Sequence, residues 1–275
     1  AENNDIIVEK EKQLKAQGRV DNLAHCESRP PIAEIETIAK LIMFAKETGA
    51  RLAFAHVSTP EAMELVKRAK SDGVELYLET CPHYMFLCED DIIKFGPYAK
   101  CNPPVRDRER MNKIWDYIND GSVDYIGSDH GPFLLSEKEA GKNNIFDSPS
   151  GFPGLEVRVP LVLNAVTENK ISLNKAIELL CTNPAKIFDI YPKKGVIEVG
   201  SDADIMIVDM KHKKRFSKDN SYCKSKEIGI VYDGWELKGF PKYTIVRGSI
   251  IMENGVVNLD YKGYGELVTP NNYGG

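Results

Sequence analysis

An α/β fold is predicted, as the C-terminal part of a (β/α)8 TIM-type barrel followed by a β-rich segment. Three observations predict it. From about residue 30 the chain alternates between helix-type and strand-type hydrophobic periodicity. The strand-like runs recur at spacings of about 25 residues, as right-handed βα units around a parallel sheet require. Two of these runs, Arg51-Leu-Ala-Phe-Ala-His56 and Val123-Asp-Tyr-Ile-Gly-Ser-Asp129-His130, end in residues that can hold a metal. A buried strand delivering such a residue at its C-terminal end is how a barrel builds its catalytic mouth.

The elements follow in order. Pro30-Pro31 precede an amphipathic helix with Ile35, Ile38, Ala39 and Ile42 at i, i+3, i+4, i+7, ending near Gly49. The strand 51–57 comes next, and Ser58 or Thr59 caps a second helix with Pro60 in its first turn and Gly73 as its stop. Val74 to Glu79 reads as a strand, Cys81-Pro-His-Tyr84 as a loop, and Tyr98 to Asn102 as a short extended run. A helix bearing Met111, Ile114, Trp115 and Ile118 ends at Gly121 and leads into the strand 123–128. The Gly/Pro/Ser-rich stretch 131–153 is long enough to be a functional lid. Helices are expected at roughly 154–169 and 172–189, the second capped by Ser172.

Beyond Pro192 the texture changes to short strands and turns, in Gly195–Asp209 and Tyr243–Gly255, where Asn254-Gly255 is a hairpin signal. This places a boundary between a barrel portion, 1–192, and a β-rich portion, 193–275. The βα units number only about half of the eight that a closed barrel of roughly 250 residues requires. A half barrel would leave two parallel edges unpaired. The chain is therefore expected to be part of a larger barrel protein.

The 275 residues hold 42% hydrophobic and 28% charged side chains, an ordinary globular balance with a real core. A net charge of -5 without a long Lys/Arg block argues against nucleic acid or an anionic membrane as the main partner. The six cysteines, Cys26, Cys81, Cys88, Cys101, Cys181 and Cys223, show no Cys-x-x-Cys spacing and read as reduced thiols of a cytoplasmic protein. No apolar stretch approaches a membrane span, and the first residues carry no signal-peptide pattern.

His56 alone could equally be a core histidine bonded to a backbone carbonyl. Asp129 is harder to set aside, because a carboxylate at the tip of an apolar strand must be paired, capping or metal-bound. Together they suggest a zinc-type site, which takes imidazole nitrogen and carboxylate oxygen and keeps a position open for water. Asp129 is also placed to carry a proton from the attacking oxygen to the leaving nitrogen. His130 either orients Asp129 or touches substrate. His83 is a loop residue of pocket or structural function, and His25 and His212 read as structural or exposed.

Several runs, taken in order, resemble the cyclic amidohydrolases, the group of hydantoinase/dihydropyrimidinase, allantoinase and dihydroorotase. They are Ala1-Glu-Asn, Ser28-Arg-Pro30, Ala55-His-Val-Ser-Thr59, Glu79-Thr-Cys-Pro-His-Tyr84, Asn102-Pro-Pro-Val-Arg106, Gly127-Ser-Asp-His-Gly-Pro-Phe133, Pro149-Ser-Gly-Phe-Pro-Gly154 and Gly200-Ser-Asp-Ala-Asp204. The resemblance implies two zinc ions at a barrel mouth, bridged by a carboxylated lysine and a hydroxide. It places His56 on the second metal and makes Asp129 both metal ligand and proton shuttle. Asn102 and Ser150 fall where the family holds the ring amide of its substrate, mostly through backbone groups. The β-rich tail would belong to a small sandwich domain, and the assembly would be a homo-oligomer, commonly a tetramer.

The family's His-x-His pair, its bridging lysine and the histidine expected just before Ala1 have no counterpart in this sequence. The resemblance therefore implies a zinc-dependent hydrolase opening a cyclic amide or ureide, with only part of its metal site present here. Gly-Phe-Pro-Gly-Leu-Glu-Val-Arg158 and the run from Tyr232-Asp-Gly234 to Gly239 lean to the hydantoinase type, whereas Cys-Pro-His-Tyr and Ala99-Lys-Cys-Asn-Pro-Pro104 lean to allantoinase or dihydroorotase. A non-catalytic relative kept as a scaffold is the reading from another class, and retention of His56 with Asp129 speaks against it.

Overall fold

The computed structural model describes residues 1–271. Its elements are α1 (Asn4–Ala16), α2 (Asn22–Ser28), α3 (Pro31–Thr48), β1 (Leu52–Phe54), α4 (Pro60–Ser71), β2 (Leu76–Thr80), α5 (Pro82–Phe86), α6 (Glu89–Phe95), α7 (Arg108–Asn119), β3 (Tyr125–Ile126), α8 (Leu135–Glu139), α9 (Leu155–Thr167), α10 (Leu173–Ile177), α11 (Asn183–Ile187), β4 (Ile205–Asp209), β5 (Lys214–Arg215), β6 (Glu236–Leu237), β7 (Phe240–Val246), β8 (Ser249–Glu253) and β9 (Val256–Val257). The chain forms two compact units, one of Ala1–Arg158 with Phe216–Trp235, the other of Val159–Arg215 with the stretch from Glu236 onward. The change of texture at 193 falls inside the second unit.

The first unit is built on a parallel sheet, order β1-β2-β3, with Leu52 paired to Leu76 and Glu79 to Tyr125. Alternation along β2 decides its faces: Leu76, Leu78 and Thr80 are buried, while Tyr77 and Glu79 are half-buried. The buried side joins Phe54 and Ile126 to a helical layer that includes Ile38 and Ile42 of α3 and Ala62, Met63 and Val66 of α4. Each fully buried side chain of this size contributes about 1.5–3 kcal/mol. Gly49, at φ 69, ends α3 in the left-handed conformation that glycine adopts without strain.

The strands are shorter than the sequence suggests, because His56 and Asp129 leave the extended conformation with φ of 43 and 44. Before β3, Asp124 takes over ladder bonding: Leu78 N–H donates to Asp124 Oδ2 at 2.6 Å, and Lys70 Nζ lies 2.7 Å from Asp124 Oδ1. The extended run expected at Tyr98–Asn102 is instead a 3-10 turn over Gly96–Ala99, closed by Lys100 N–H on the carbonyl of Pro97. Pro97 favours this, since its fixed φ suits the first position of a turn. Helices α1 and α2 lie where the sequence offered no strong stripe, and Asn3 and Asp21 cap them through their side chains.

The lid expected at 131–153 is largely folded into short helical turns, α8 and the 3-10 turns Ala140–Lys142 and Ile145–Asp147. Lys138 of α8 is fully buried and donates to the carbonyls of Pro97 and Pro149 at 2.9 and 2.8 Å. Lys100 is also buried and donates to the carbonyls of Ile145 and Ser148 at 2.8 and 2.5 Å. Burial lowers both ammonium pKa values, to about 8 for Lys100 and about 7 for Lys138.

In the second unit the expected 172–189 helix is continuous but widens to a π turn over Glu178–Thr182. Pro184 has no N–H for the carbonyl of Leu180, and the wider turn accommodates that loss. An antiparallel sheet of order β4-β7-β8-β9 follows. Asn254 and Gly255, at φ 50 and 85, turn β8 into β9 as the hairpin signal requires.

Candidate active site

Both strand-end residues adopt the left-handed conformation immediately beyond the parallel sheet, at φ 43 for His56 and 44 for Asp129. Such a conformation costs a non-glycine residue about 1–2 kcal/mol and persists only where neighbouring bonds over-determine it. Val57, next to His56, donates its N–H to the carbonyl of Glu79 at 2.9 Å and accepts at its own carbonyl from Thr80 Oγ1 at 2.9 Å. Past Asp129, Gly131 donates its N–H to the carbonyl of Phe152 at 3.1 Å.

His83 enters the same place from α5. Its Nε2 lies 3.8 Å from Asp129 Oδ2, and its ring packs against Tyr84 and Phe152 at 4.1 and 5.5 Å between centroids. Burial is the main cause that lowers the His83 pKa to about 3, with the charge of His56 adding to it. The same burial raises the Asp129 carboxyl, and the charge of His56 works against that rise. His83 is thus neutral, and it stands close to Asp129 and within reach of the His56 charge. The sequence ranked it below them because a turn histidine carries no periodic signal.

Backbone bonds draw the remaining candidates together. His130 pairs with Phe152 in a parallel bridge. Gly151 donates its N–H to the carbonyl of Lys100 at 2.7 Å, which sets Ser150 beside the Lys100–Asn102 stretch. Gly131 and Gly151 permit this approach, since a Cβ on Gly131 would stand 2.7 Å from the Gly151 Cα. Asn102 precedes a cis proline, and Tyr84 Oη donates to the carbonyl of Pro103 at 2.8 Å.

His130 has a more specific geometry than the sequence indicated. Its Nδ1 accepts from the N–H groups of Gly154 and Leu155 at 3.2 and 3.3 Å, and its Nε2 lies 3.8 Å from Cys223 Sγ. It lines a cavity of about 270 Å³ with Pro153, Leu155, Val157, Tyr222 and Cys223. His56, His83, Asn102 and Ser150 are not among its walls. His25, whose Nε2 lies 2.9 Å from the carbonyl of Cys101, is a buried histidine with its pKa lowered to about 3 by desolvation.

The donor set can be tested against a metal. Among the described residues, His56 Nδ1, His83 Nε2 and Asn102 Oδ1 are buried without a hydrogen-bond partner. An orphaned imidazole nitrogen near a half-buried carboxylate is what a divalent cation would satisfy. No group of three or more His, Cys, Asp or Glu among the described residues is arranged to hold an ion. His56 and Asp129 fit a metal as part of a ligand set and do not complete one.

The Amidohydrolase family profile matches residues 2–250. The chain belongs to the amidohydrolase family. Within it, the L-hydantoinase of Paenarthrobacter aurescens is 38% identical over 274 residues, 99% of this chain and 59% of that protein. The dihydroorotase of Endomicrobium trichonymphae is 38% identical over 226 residues, 82% of this chain and 52% of that protein. Among solved structures, the L-hydantoinase (dihydropyrimidinase) of Arthrobacter aurescens superposes with a TM-score of 0.90 at 37% identity, covering 94% of this chain and 57% of that one. The chain thus spans under three fifths of the length of these relatives. The cyclic-amidohydrolase resemblance of the sequence motifs is borne out, as is the α/β class. Among the described residues no helix is long and apolar enough to cross a membrane.

Proposed function

We propose that this chain carries part of the active site of a zinc-dependent hydrolase that opens the C–N amide bond of a cyclic amide or ureide, of the hydantoinase/dihydropyrimidinase type. The observation that carries the reading is the pair His56 and Asp129. Both sit just past parallel strands in the same strained conformation, and one presents an orphaned ring nitrogen. The 38% identity to an L-hydantoinase supports the choice of substrate class, with allantoinase or dihydroorotase chemistry as the alternative.

In this reading residues 1–192 are the barrel portion and 193–275 a β-sandwich segment and tail. His56 and Asp129 would hold zinc, two ions per site in the complete protein together with further ligands. Zinc bound there would supply Lewis acidity, the chemistry that makes water nucleophilic near neutral pH. Asp129 takes the proton of the attacking water and delivers it to the leaving ring nitrogen, so it shuttles one proton per turnover. Burial, which raises the basicity of its carboxylate, suits it to that task.

Asn102 and Ser150 hold the ring amide, brought to one place by the bond between Gly151 and Lys100. His130 is assigned a substrate-binding role through the backbone of Gly154 and Leu155 that its Nδ1 fixes, not through the cavity its ring lines, whose walls lack Asn102 and Ser150. The buried His83 is kept neutral, with its Nε2 3.8 Å from Asp129 Oδ2. A cytoplasmic setting is the one that the free thiols Cys26, Cys81, Cys88, Cys101, Cys181 and Cys223 support, and the family resemblance implies a homo-oligomer.

Metal analysis of the full-length protein, which would supply the remaining ligands, together with hydrolysis assays on hydantoin, dihydrouracil, allantoin and dihydroorotate, tests the reading. Zinc and ring opening of hydantoin or dihydrouracil are expected. Asp129→Asn should lower kcat at least about 100-fold, the low end of a general acid–base contribution. Unchanged turnover in that variant overturns the proton-shuttle role.

A further inference from the structure

Glu34 of α3 is fully buried, and its hydrogen bonds run to the turn that follows His56. Its Oε1 accepts from Ser58 N–H at 3.0 Å, and its Oε2 accepts from Ser58 Oγ at 3.0 Å and Thr59 Oγ1 at 2.6 Å. Arg106, also buried, donates from Nε to Ser58 Oγ at 2.9 Å and from Nη1 to the carbonyl of Arg29 at 2.5 Å. Its Nη2 stands 4.0 Å from Glu34 Oε2. Taking a carboxylate and a guanidinium out of water costs several kcal/mol for each ion, and close pairing recovers only part of that.

That turn has two fixed sides. On one, Val57 is bonded to β2 through Glu79 and Thr80. On the other, Ser58 and Thr59 are gripped by Glu34. His56 stands next to them at φ 43, a conformation its own side chain does not favour. With Val57, Ser58 and Thr59 anchored, the preceding residue has little freedom to relax toward extended backbone. Relaxation would swing the imidazole away from Asp129 and His83.

We propose that Glu34 is a positioning residue for His56, acting through Ser58 and Thr59 and, beside it, Arg106. The proposal rests on the reading of His56 as a metal ligand. Glu34 sets how tightly the metal is held and how fast the bond is broken, without touching either.

The test, made in the full-length protein, uses Glu34→Gln, which keeps the size of the side chain but loses acceptor capacity for the two hydroxyls, and Thr59→Val as a milder variant. Three quantities are measured: zinc retention by competition with a chromogenic chelator, kcat and KM separately on hydantoin, and the rate at which diethyl pyrocarbonate modifies His56 in metal-free protein, followed by peptide mass. Glu34→Gln should weaken zinc retention roughly 10–100-fold, as loss of groups supporting a ligand does elsewhere. It should lower kcat more than it raises KM, and it should change the His56 modification rate severalfold. Thr59→Val should move the same quantities in the same direction, by less. A variant with a lower melting temperature but unchanged zinc retention, kcat and His56 reactivity overturns the proposal. If the full-length wild-type protein, with the remaining ligands present, binds no zinc, the metal reading fails, and the His56 modification rate still decides whether Glu34 sets that residue.

Discussion

The turn after β1 and the loop after β3 lie in one compact unit and are held by buried ions of opposite sign. At residues 56–59 the chain presents donors, an N–H and two hydroxyls, and the ion is the carboxylate of Glu34. At residues 145–149 it presents carbonyl oxygens, and the ions are the ammonium groups of Lys100 and Lys138. The difference shows that the sign of the buried clamp follows the backbone groups a turn leaves over. A helix start leaves N–H groups, and short helical turns leave carbonyls. The two clamps also differ in pairing. Glu34 faces Arg106, whereas the hydrogen bonds of each lysine go to neutral carbonyls.

The comparison predicts unequal costs. Arg106→Met should be the largest, about 3–5 kcal/mol by chemical denaturation, because it leaves Glu34 as a buried carboxylate without its guanidinium. A loss below about 1 kcal/mol would break the view that this clamp is electrostatically closed. Lys138→Met should cost less, about 1–3 kcal/mol, from the stranded carbonyls of Pro97 and Pro149, since it also removes a buried charge. If the two substitutions cost the same, pairing is not what separates the clamps.

A pH series sharpens the point. The two lysines titrate near 10.5 when unfolded and at about 8 and about 7 when folded, so the unfolded chain binds more protons across that window. Stability should therefore rise with pH from about 7 to 10, by at most about 1.4 kcal/mol per pH unit for each lysine. The melting temperature read across that range should climb, and Lys138→Met should flatten the climb. The smallest effect is expected at the exposed ion pair of Lys113 with Glu109, where Lys113→Ala should change stability by under about 0.5 kcal/mol.

Periodicity and punctuation make much of the first unit legible in the sequence alone. The stripe of Ile38 and Ile42, the stop at Gly49 and the apolar run ending at His56 report local propensity and burial, which are written in short stretches of chain. The same holds for Asn254-Gly255, whose turn chemistry is contained in two residues. Helices α1 and α2 were less visible, because their side-chain caps support helices with few buried apolar residues. The folded character of 131–153 was hidden because its anchor, Lys138, is a residue type ordinarily left in water.

The sequence by itself determined the α/β alternation, the placing of His56 and Asp129 after two of its strands, and the family motifs around them. Tertiary structure alone decided that His83 joins these two, that Ser150 is drawn beside Asn102, and that Glu34 and the two buried lysines hold the loops. The physical reason is range. Helix stripes, caps and hairpins depend on residues a few positions apart, whereas Glu34 reaches Ser58 across 24 positions and Lys100 reaches Ser148 across 48. Hydrogen bonds of that span have no period to read, and they exist only once the chain has closed on itself.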